Sequence, residues 1–489
     1  MKIQQIMKAM FAAGAVMLGI GYANMHMNHQ IVYGAEFAEQ IEVTVKASNG
    51  DGTSKLRDGS YSSSTAFTKT NPLTIASSNG TDQLYGVYVI WAKVPDSWTL
   101  SYDGKTVECG TDGFLHEYVA IPEGTGSVTM TFTGTESICD IYAYSDGTLP
   151  AEVQTWKPVC ERADMLFLSS HADDEILFLG GALAEYAGEE QLAVQVVYFS
   201  NYFGGTVIRE HEKLDGLWAM GVRNYPVNGD FPDLYADNLA SAEKQFGYDK
   251  TLEWTVEQIR RFQPLVCVAQ DTNGEYGHGT HQLTSKAMQE AVTVSMKAEV
   301  CPESAARYGT FDVPKTYIHL YGENQMKLDC RKPLNAFDGQ TALEVASAAY
   351  KKHVSQQWCW FYVSDEYEYS CAEFGLYRTT VGMDTQNDMM EHVTSYEEQA
   401  RLAAEQLAAE NASKQAEEAA ILDASLAAQQ QEIIREQKAD QLKDTVRTAA
   451  VVIAIMALAV IVLVPVVVVL AAANKKRKRR RKKGGRSIR

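Results

Sequence analysis

From Ala449 to Ala473 the chain carries no charged side chain over 25 residues. A helix of about 20 apolar residues is enough to cross the hydrocarbon of a bilayer, so this stretch reads as one tilted transmembrane helix. Pro465 inside it is tolerable in lipid. Nine consecutive basic residues, Lys475 to Lys483, follow at once. Such a run stays cytoplasmic, which puts everything before the span on the other side. At the opposite end Lys2 and Lys8 precede the apolar stretch Ala9 to Tyr22, and Gly21-Tyr22-Ala23 offers a small-x-small cleavage site. Residues 1–35 therefore read as a secretory signal peptide; uncleaved, the segment would be a signal anchor. No Leu-Pro-x-Thr-Gly sorting signal precedes the span, and a lipid-anchor signal would end apolar rather than basic. The expectation is a single-pass protein of the cell membrane. Its bulk is extracytoplasmic, and residues 474–489 form a basic cytoplasmic tail.

The charge distribution agrees with that layout. Eleven basic residues lie from Lys475 onward, so the remainder carries −29 against −18 for all 489 residues. A body that acidic repels nucleic acid, which excludes it as a partner. Hydrophobic residues make up 46% of the chain, enough to bury cores in two or three domains. Eight cysteines suit an oxidising compartment and form no Cys-x-x-Cys pair, so a thiolate metal site is not expected. Proximity suggests the disulfides Cys109–Cys139 and Cys359–Cys371.

Residues 36–149 are rich in Thr, Ser, Gly, Val and Tyr. Ile41–Lys46, Leu84–Trp91, Ser127–Thr133 and Ile138–Tyr144 look like strands, several with period-2 alternation. Asn49-Gly-Asp-Gly, Ser78-Asn-Gly, Asp103-Gly and Asp112-Gly separate them as turns. Short strands with regular turn signals point to an all-β sandwich. The segment Leu56 to Tyr61, with Trp91 to Asp103, resembles galactose-binding-like modules, which makes this a candidate carbohydrate-binding module; a plain spacer domain fits equally. Leu149 to Pro158 reads as a linker.

The chemistry starts at Met165-Leu-Phe-Leu-Ser-Ser-His171-Ala-Asp173-Asp174-Glu175. A buried strand ends in two serines, then one histidine and three acids open a helix. Acids are favoured at a helix start, and an acidic cap is the plain reading. A histidine three residues from an aspartate at a buried strand's end admits another, because ligands bind there in open α/β sheets. His171 and Asp174 can turn an imidazole and a carboxylate toward one point, a donor pair that suits Zn²⁺. Asp173, between them, can stay off the metal and serve as a base. Further on, Leu192–Phe199 is a nearly continuous apolar run rich in β-branched residues, as a covered parallel strand should be. Leu265–Ala269 is another buried strand, followed by Gly277-His278-Gly-Thr280-His281. Thr255–Phe262 is an amphipathic helix, Cys301–Pro314 a loop, Ile318–Tyr321 a strand and Ala342–His353 a helix.

His171-Ala-Asp-Asp174-Glu after an apolar strand resembles the His-Pro-Asp-Asp-Glu signature of the PIG-L/LmbE-like family of zinc-dependent N-acetylglucosaminyl deacetylases, with Ala172 in the place of proline. The resemblance extends from about Asp164 to about Val393. Gly-His278-x-x-His281 is similar to the family's His-Pro-Asp-His segment, with Thr280 at the aspartate position. Arg209-Glu-His-Glu212 resembles its Arg-x-x-Glu helix, Gly229 to Asp233 occupies its Leu-Pro-Asp-Gly place, and Glu373 to Arg378 is similar to its closing segment. The resemblance implies a Rossmann-like, mostly parallel α/β deacetylase domain over 160–393. It implies one Zn²⁺ on His171, Asp174 and His281, for which other divalent metals can substitute. Asp173 would be the base, His278 the stabiliser of the transition state, and Arg209 and Asp233 would bind substrate. Beside these stand an ordinary Arg209–Glu212 ion pair and a turn-forming Asp233. His211 points to another face of its helix and is expected at the surface.

The implied activity removes the acetyl group from N-acetylglucosamine-type residues of a glycan or glycolipid at the cell surface. The competing reading is a stalked glycan-binding adhesin with a vestigial enzyme domain. Residues 395–445 are rich in Ala, Glu, Gln and Lys without Gly or Pro, and read as a helical stalk about 75 Å long ahead of the 449–473 span.

Overall fold

A computed structural model describes residues 37–49 and 53–483. The expected signal peptide, most of the Asn49-Gly-Asp-Gly turn and the end of the basic tail lie outside the described residues.

Ten strands come first: β1 (Gln40–Ile41), β2 (Val43–Ala47), β3 (Thr65–Thr68), β4 (Leu73–Ser77), β5 (Leu84–Trp91), β6 (Trp98–Tyr102), β7 (Lys105–Cys109), β8 (His116–Thr125), β9 (Ser127–Phe132) and β10 (Thr135–Tyr144). They form two antiparallel sheets, β1-β10-β5-β8 with β3 also on β10, and β2-β4-β9-β6-β7. Alternation sends one face of the strands inward: Val128, Met130 and Phe132 on β9 join Val87, Val89 and Trp91 on β5 in a shared core. The indole N–H groups of Trp91 and Trp98 both donate to Glu117 Oε2, at 3.1 and 2.9 Å. The half-buried carboxylate thus ties a strand of each sheet. Gly86 is required by a close approach, since a Cβ there would fall 1.9 Å from the Tyr118 hydroxyl.

Seven more strands follow: β11 (Met165–Ser169), β12 (Val194–Asn201), β13 (Val227–Pro232), β14 (Val266–Ala269), β15 (Lys315–His319), β16 (Gln325–Lys327) and β17 (Glu373–Thr379). They build one sheet in the order β13-β12-β11-β14-β15-β17-β16. The strands from β13 to β15 pair in parallel, and β17 and β16 add antiparallel edges. The chain leaves β11 toward β12 and β13, then returns to lay β14 and β15 on the other side. The order therefore reverses at β11 and β14, and a crevice opens past their carboxyl ends.

Three expectations are overturned here. Cys301–Pro314 is not all loop: Pro302–Tyr308 is a helix with proline in its first turn, where the missing N–H costs nothing. The eight cysteines are all free thiols. Cys109 sits in the core between the sheets, whereas Cys139 lies in a separate cluster on the outer face of β10, so the pair cannot meet. The Cys371 thiol interacts with Cys330 and is not bonded to Cys359. Third, His211 is fully buried. Its helix, Ile208–Ala219, is covered on a second face by the β-rich region.

That coverage is a polar chain. His116 Nε2 lies 2.9 Å from His211 Nδ1, and His116 Nδ1 lies 2.8 Å from Gln154 Oε1, which also accepts the Trp156 indole N–H. Gln154 Nε2 donates to Asp215 Oδ1 at 2.6 Å and the Tyr61 hydroxyl donates to Asp215 Oδ2 at 2.7 Å. Tyr61 stacks on His211 with centroids 4.5 Å apart. The segment from Leu149 is thus packed rather than a free linker, with Val153, Gln154 and Trp156 buried.

The last element is a single 88-residue helix, Tyr396–Lys483, with Pro465 inside it. Its most apolar window has a mean hydropathy of 3.4, and by length and composition the helix can cross a membrane.

Burial pushes the His116 pKa down from 6.5 to about 4. The unfolded chain then binds the extra proton first as pH falls, so this histidine contributes stability above pH 6.5 that is lost on acidification toward pH 4. Asp215, raised by burial to about 6, acts in the opposite direction over part of that window, so the histidine's share must be read by difference. Between pH 7 and pH 5 the wild-type chain should lose about 2 kcal/mol more unfolding free energy than His116→Gln. Urea unfolding at the two pH values measures this, and equal losses would refute it.

Candidate metal centre

Because β11 and β14 are parallel neighbours, the loops leaving their carboxyl ends lie side by side. The first carries His171 to Asp174 and the second His278 to His281. Asp174 Oδ2 is shared: it lies 2.9 Å from His171 Nδ1 and 3.0 Å from His281 Nε2, and those two nitrogens are 3.2 Å apart. All three side chains are buried.

Burial alone would raise the Asp174 pKa, but His281 and His171 hold it well below the carboxylate range. Burial likewise opposes a charge on His281, yet Asp174 and Glu275 outweigh it and raise the imidazole to about 10. The cluster therefore demands positive charge at its centre. A tetrahedral Zn²⁺ with bonds of about 2.0–2.1 Å would set its ligand atoms about 3.3 Å from one another, close to the spacing found. Two imidazoles and a carboxylate are also the right donors, so the residues fit this metal.

The outward nitrogen of His281 is fixed as metal-site imidazoles commonly are. Its Nδ1 lies 2.7 Å from Glu275 Oε2, Glu275 Oε1 lies 2.6 Å from His319 Nδ1, and His319 Nε2 lies 2.8 Å from the Ser370 carbonyl. Although burial opposes the charge, hydrogen bonds from His281 and His319 keep Glu275 ionised, with a pKa of about 2.

Sequence reasoning missed Glu275 and His319. His319 ends a strand buried over its whole length, the same signal that exposed His171.

The ring nitrogens of His171, His278 and His281 all lie within 4.8 Å of one another, which brings His278 to the same centre. Its Nδ1 accepts the Thr280 backbone N–H at 3.2 Å, as the cap of helix Gly279–Val294. The neutral ring then carries its proton on Nε2. Burial, followed by the two neighbouring imidazoles, lowers its pKa to about 2, so it stays neutral. An N–H donor beside the cluster suits an oxyanion better than a metal.

Asp173 points elsewhere. Its Oδ1 pairs with Arg209 Nη2 at 3.2 Å, and Arg209 Nη1 donates to Asp233 Oδ2 at 3.0 Å. Arg209 Nη2 also donates to the Ala172 carbonyl. Glu212 is engaged by Ser355, through its backbone N–H and its hydroxyl, and not by Arg209. Burial raises the Asp173 pKa well above the usual range, with Arg209 pulling it back. Ala172, in the place of proline, keeps an N–H that donates to the Tyr202 hydroxyl at 3.0 Å and so holds the loop another way.

A cavity of about 670 Å³ opens over these groups. His171, Asp173, Asp174, Arg209, Asp233 and His278 face it from one side. Trp358 and Trp360 stand on its rim, 81% and 62% exposed.

Residues 166–292 match the PIG-L family, described as GlcNAc-PI de-N-acetylase. Over 178 residues the chain is 24% identical to 1D-myo-inositol 2-acetamido-2-deoxy-alpha-D-glucopyranoside deacetylase 1 of Catenulispora acidiphila, covering 31% of this chain and 54% of that one. Over 188 residues it is 28% identical to the corresponding deacetylase of Nocardia farcinica, covering 34% and 59%. The chain thus spans a little over half the length of the curated relatives it matches. Among solved structures, N,N'-diacetylchitobiose deacetylase of Pyrococcus horikoshii aligns at 18% identity and a TM-score of 0.32, covering 40% of this chain and 71% of that one. The zinc-inhibited form of teicoplanin deacetylase Orf2 aligns at 18% identity and a TM-score of 0.27, covering 39% and 84%. The chain carries a domain of the PIG-L family over residues 166–292.

Proposed function

We propose that this protein is a zinc-dependent N-deacetylase that releases acetate from N-acetylglucosamine-type residues of a glycan or glycolipid at the cell surface. The observation that carries the reading is the triangle of donor atoms on His171, Asp174 and His281, with edges of 2.9 to 3.2 Å. These three residues would hold one Zn²⁺, and other divalent ions can substitute. When bound, the ion supplies Lewis acidity, which lets water at the site ionise near neutral pH.

The chain's own residues do the rest. The Asp173 carboxylate takes the proton of the attacking water, and its raised pKa makes it a stronger base than an exposed aspartate. Arg209 keeps Asp173 turned toward the cavity. His278 Nε2–H donates to the acetamide oxygen as negative charge grows there. Asp173 then returns its proton to the leaving amine, giving acetate and a free amino sugar. Asp233, a third exposed at its side chain beside Arg209, accepts a sugar hydroxyl.

The same proposal includes the layout. A Rossmann-like deacetylase domain over 160–393 follows a carbohydrate-binding β-sandwich over 36–149. A stalk over 395–445 and a span over 449–473 then anchor the protein with its C-terminus in the cytoplasm. Parallel strand order and the crevice at β11 and β14 support the first part, and the apolar Tyr396–Lys483 helix supports the last.

Asp173→Asn should keep one zinc per chain by elemental analysis while acetate release falls on the order of 10²- to 10⁴-fold. Turnover within tenfold of wild type would remove Asp173 as the base. Stripping the metal with a chelator should abolish acetate release and added Zn²⁺ should restore it. A purified chain that binds no zinc would favour the adhesin reading instead.

A further inference from the structure

A second cavity, of about 610 Å³, lies away from the metal centre, between the outer face of β10 and β5 and the helices Ile208–Ala219 and Ala342–Tyr350. Its wall on the strand side is aromatic by register. Tyr142 on β10 stands opposite Tyr88 on β5, which stands opposite Tyr118 on β8, so three tyrosines form a row across adjacent strands. Tyr144, two residues beyond Tyr142, shares that face. Tyr88, Tyr142, Tyr144 and Tyr61 line the cavity, and Trp218 faces them from the helix. The opposite face of the same strands is the apolar core between the sheets, where Val87, Val89, Ile141 and Ala143 pack.

The polar groups are few and fixed. Asp215 accepts from Tyr61 and Gln154, one hydrogen bond on each oxygen, yet its side chain remains 20% exposed. Each carboxylate oxygen has a second lone pair, so the group can still accept from a ligand hydroxyl. Glu152 and Lys352 are exposed at the edge. A concave, aromatic surface of this size with a few oriented polar groups is a small-ligand site by its physical character.

The lining also selects the ligand class. The Asp215 carboxylate at the centre repels phosphates and other anions, and the edge sets one acid, Glu152, against one base, Lys352. A lipid chain would cover the exposed part of the Asp215 carboxylate and offer it no donor beyond Tyr61 and Gln154. An extended peptide would need a free strand edge, but β10 is paired on both sides. A pyranose ring satisfies both kinds of surface: its C–H faces lie against tyrosine rings and its hydroxyls donate to carboxylates. We propose that this cleft is a second saccharide-binding site, which holds one ring of a glycan chain apart from the residue at the metal centre. It rests on the deacetylase reading only for the choice of sugar probe. It also favours a polymeric substrate over a free monosaccharide.

The test titrates full-length Asp173→Asn protein in detergent with the tetramer of N-acetylglucosamine, by calorimetry. Adding Tyr142→Ala should weaken binding tenfold or more, while Tyr142→Phe, which keeps the ring, should stay within twofold. In the otherwise native chain, Tyr142→Ala should raise KM for the tetramer and leave kcat and the kinetics on the monosaccharide unchanged. If Tyr142→Ala lowers the unfolding temperature, the exposed pair Glu152→Ala with Lys352→Ala replaces it, with a loss of threefold or more expected. No measurable tetramer binding, or binding within twofold of the parent in Tyr142→Ala or its replacement, would overturn the site. A wild-type chain that releases no acetate from any probe would sink the deacetylase reading alone, because the Tyr142 titration reads the cleft without turnover.

Discussion

One carboxylate oxygen, Asp174 Oδ2, stands between two imidazoles from loops 110 residues apart in sequence. Burying a carboxylate costs several kcal/mol unless positive charge comes with it. Here that charge sits on His281, whose imidazole is raised to about 10 by Asp174 and steadied by Glu275, which also holds His319. The parallel pairing of β11 and β14 makes the meeting possible, since it delivers both loops to the same end of the sheet. Removing that adjacency would leave a buried charge on one loop and unpaired rings on the other. The register of two strands and the electrostatics of one atom are therefore a single constraint.

The Ile208–Ala219 helix links this constraint to the β-rich region. Arg209, near its start, pairs with Asp173 and Asp233. His211 and Asp215, on other faces, join the chain of hydrogen bonds through His116, Gln154 and Tyr61. Nearly every donor in that chain meets one acceptor, which makes the contact directional as well as tight. The guanidinium that orients the proposed base is thus placed by a helix whose position depends on contacts well away from the metal centre. This explains why a β-rich region of more than a hundred residues shares one apolar core with the α/β sheet.

The sequence disclosed the parts of the site that break a local rule. His171, Asp173, Asp174, His278 and His281 are polar residues at the ends of apolar strands, where packing offers them no reason to be. Glu275 was not visible because a glutamate among glycines in a polar loop reads as solvated; its burial between two histidines exists only in three dimensions. His211 was misjudged for a related reason. A helical face is assigned against one core, but this helix is covered on two sides, and the second cover comes from strands nearly a hundred residues earlier. The cysteine pairs failed because proximity in sequence ignores strand faces: Cys109 on β7 faces the core between the sheets, and Cys139 on β10 of the other sheet faces away from it. The long apolar helix was legible throughout, since its signal is composition alone.

Two consecutive aspartates take different partners, Arg209 for Asp173 and two imidazoles for Asp174, and the backbone between them shows the cost. Asp173 has φ of 113°, a conformation unfavourable for a residue with a Cβ and worth on the order of 1–3 kcal/mol. Its N–H is held by Glu175 Oε2 at 2.9 Å and its carboxylate by Arg209, so the strained turn is fixed from both ends. Two carboxylates side by side at the imidazoles would be like charges, and one would be driven to protonate. The turn instead sends Asp174 inward to the cluster and Asp173 sideways into the cavity. On the proposed mechanism, that strain separates the group that would hold an ion from the group that would move a proton, within two residues of chain.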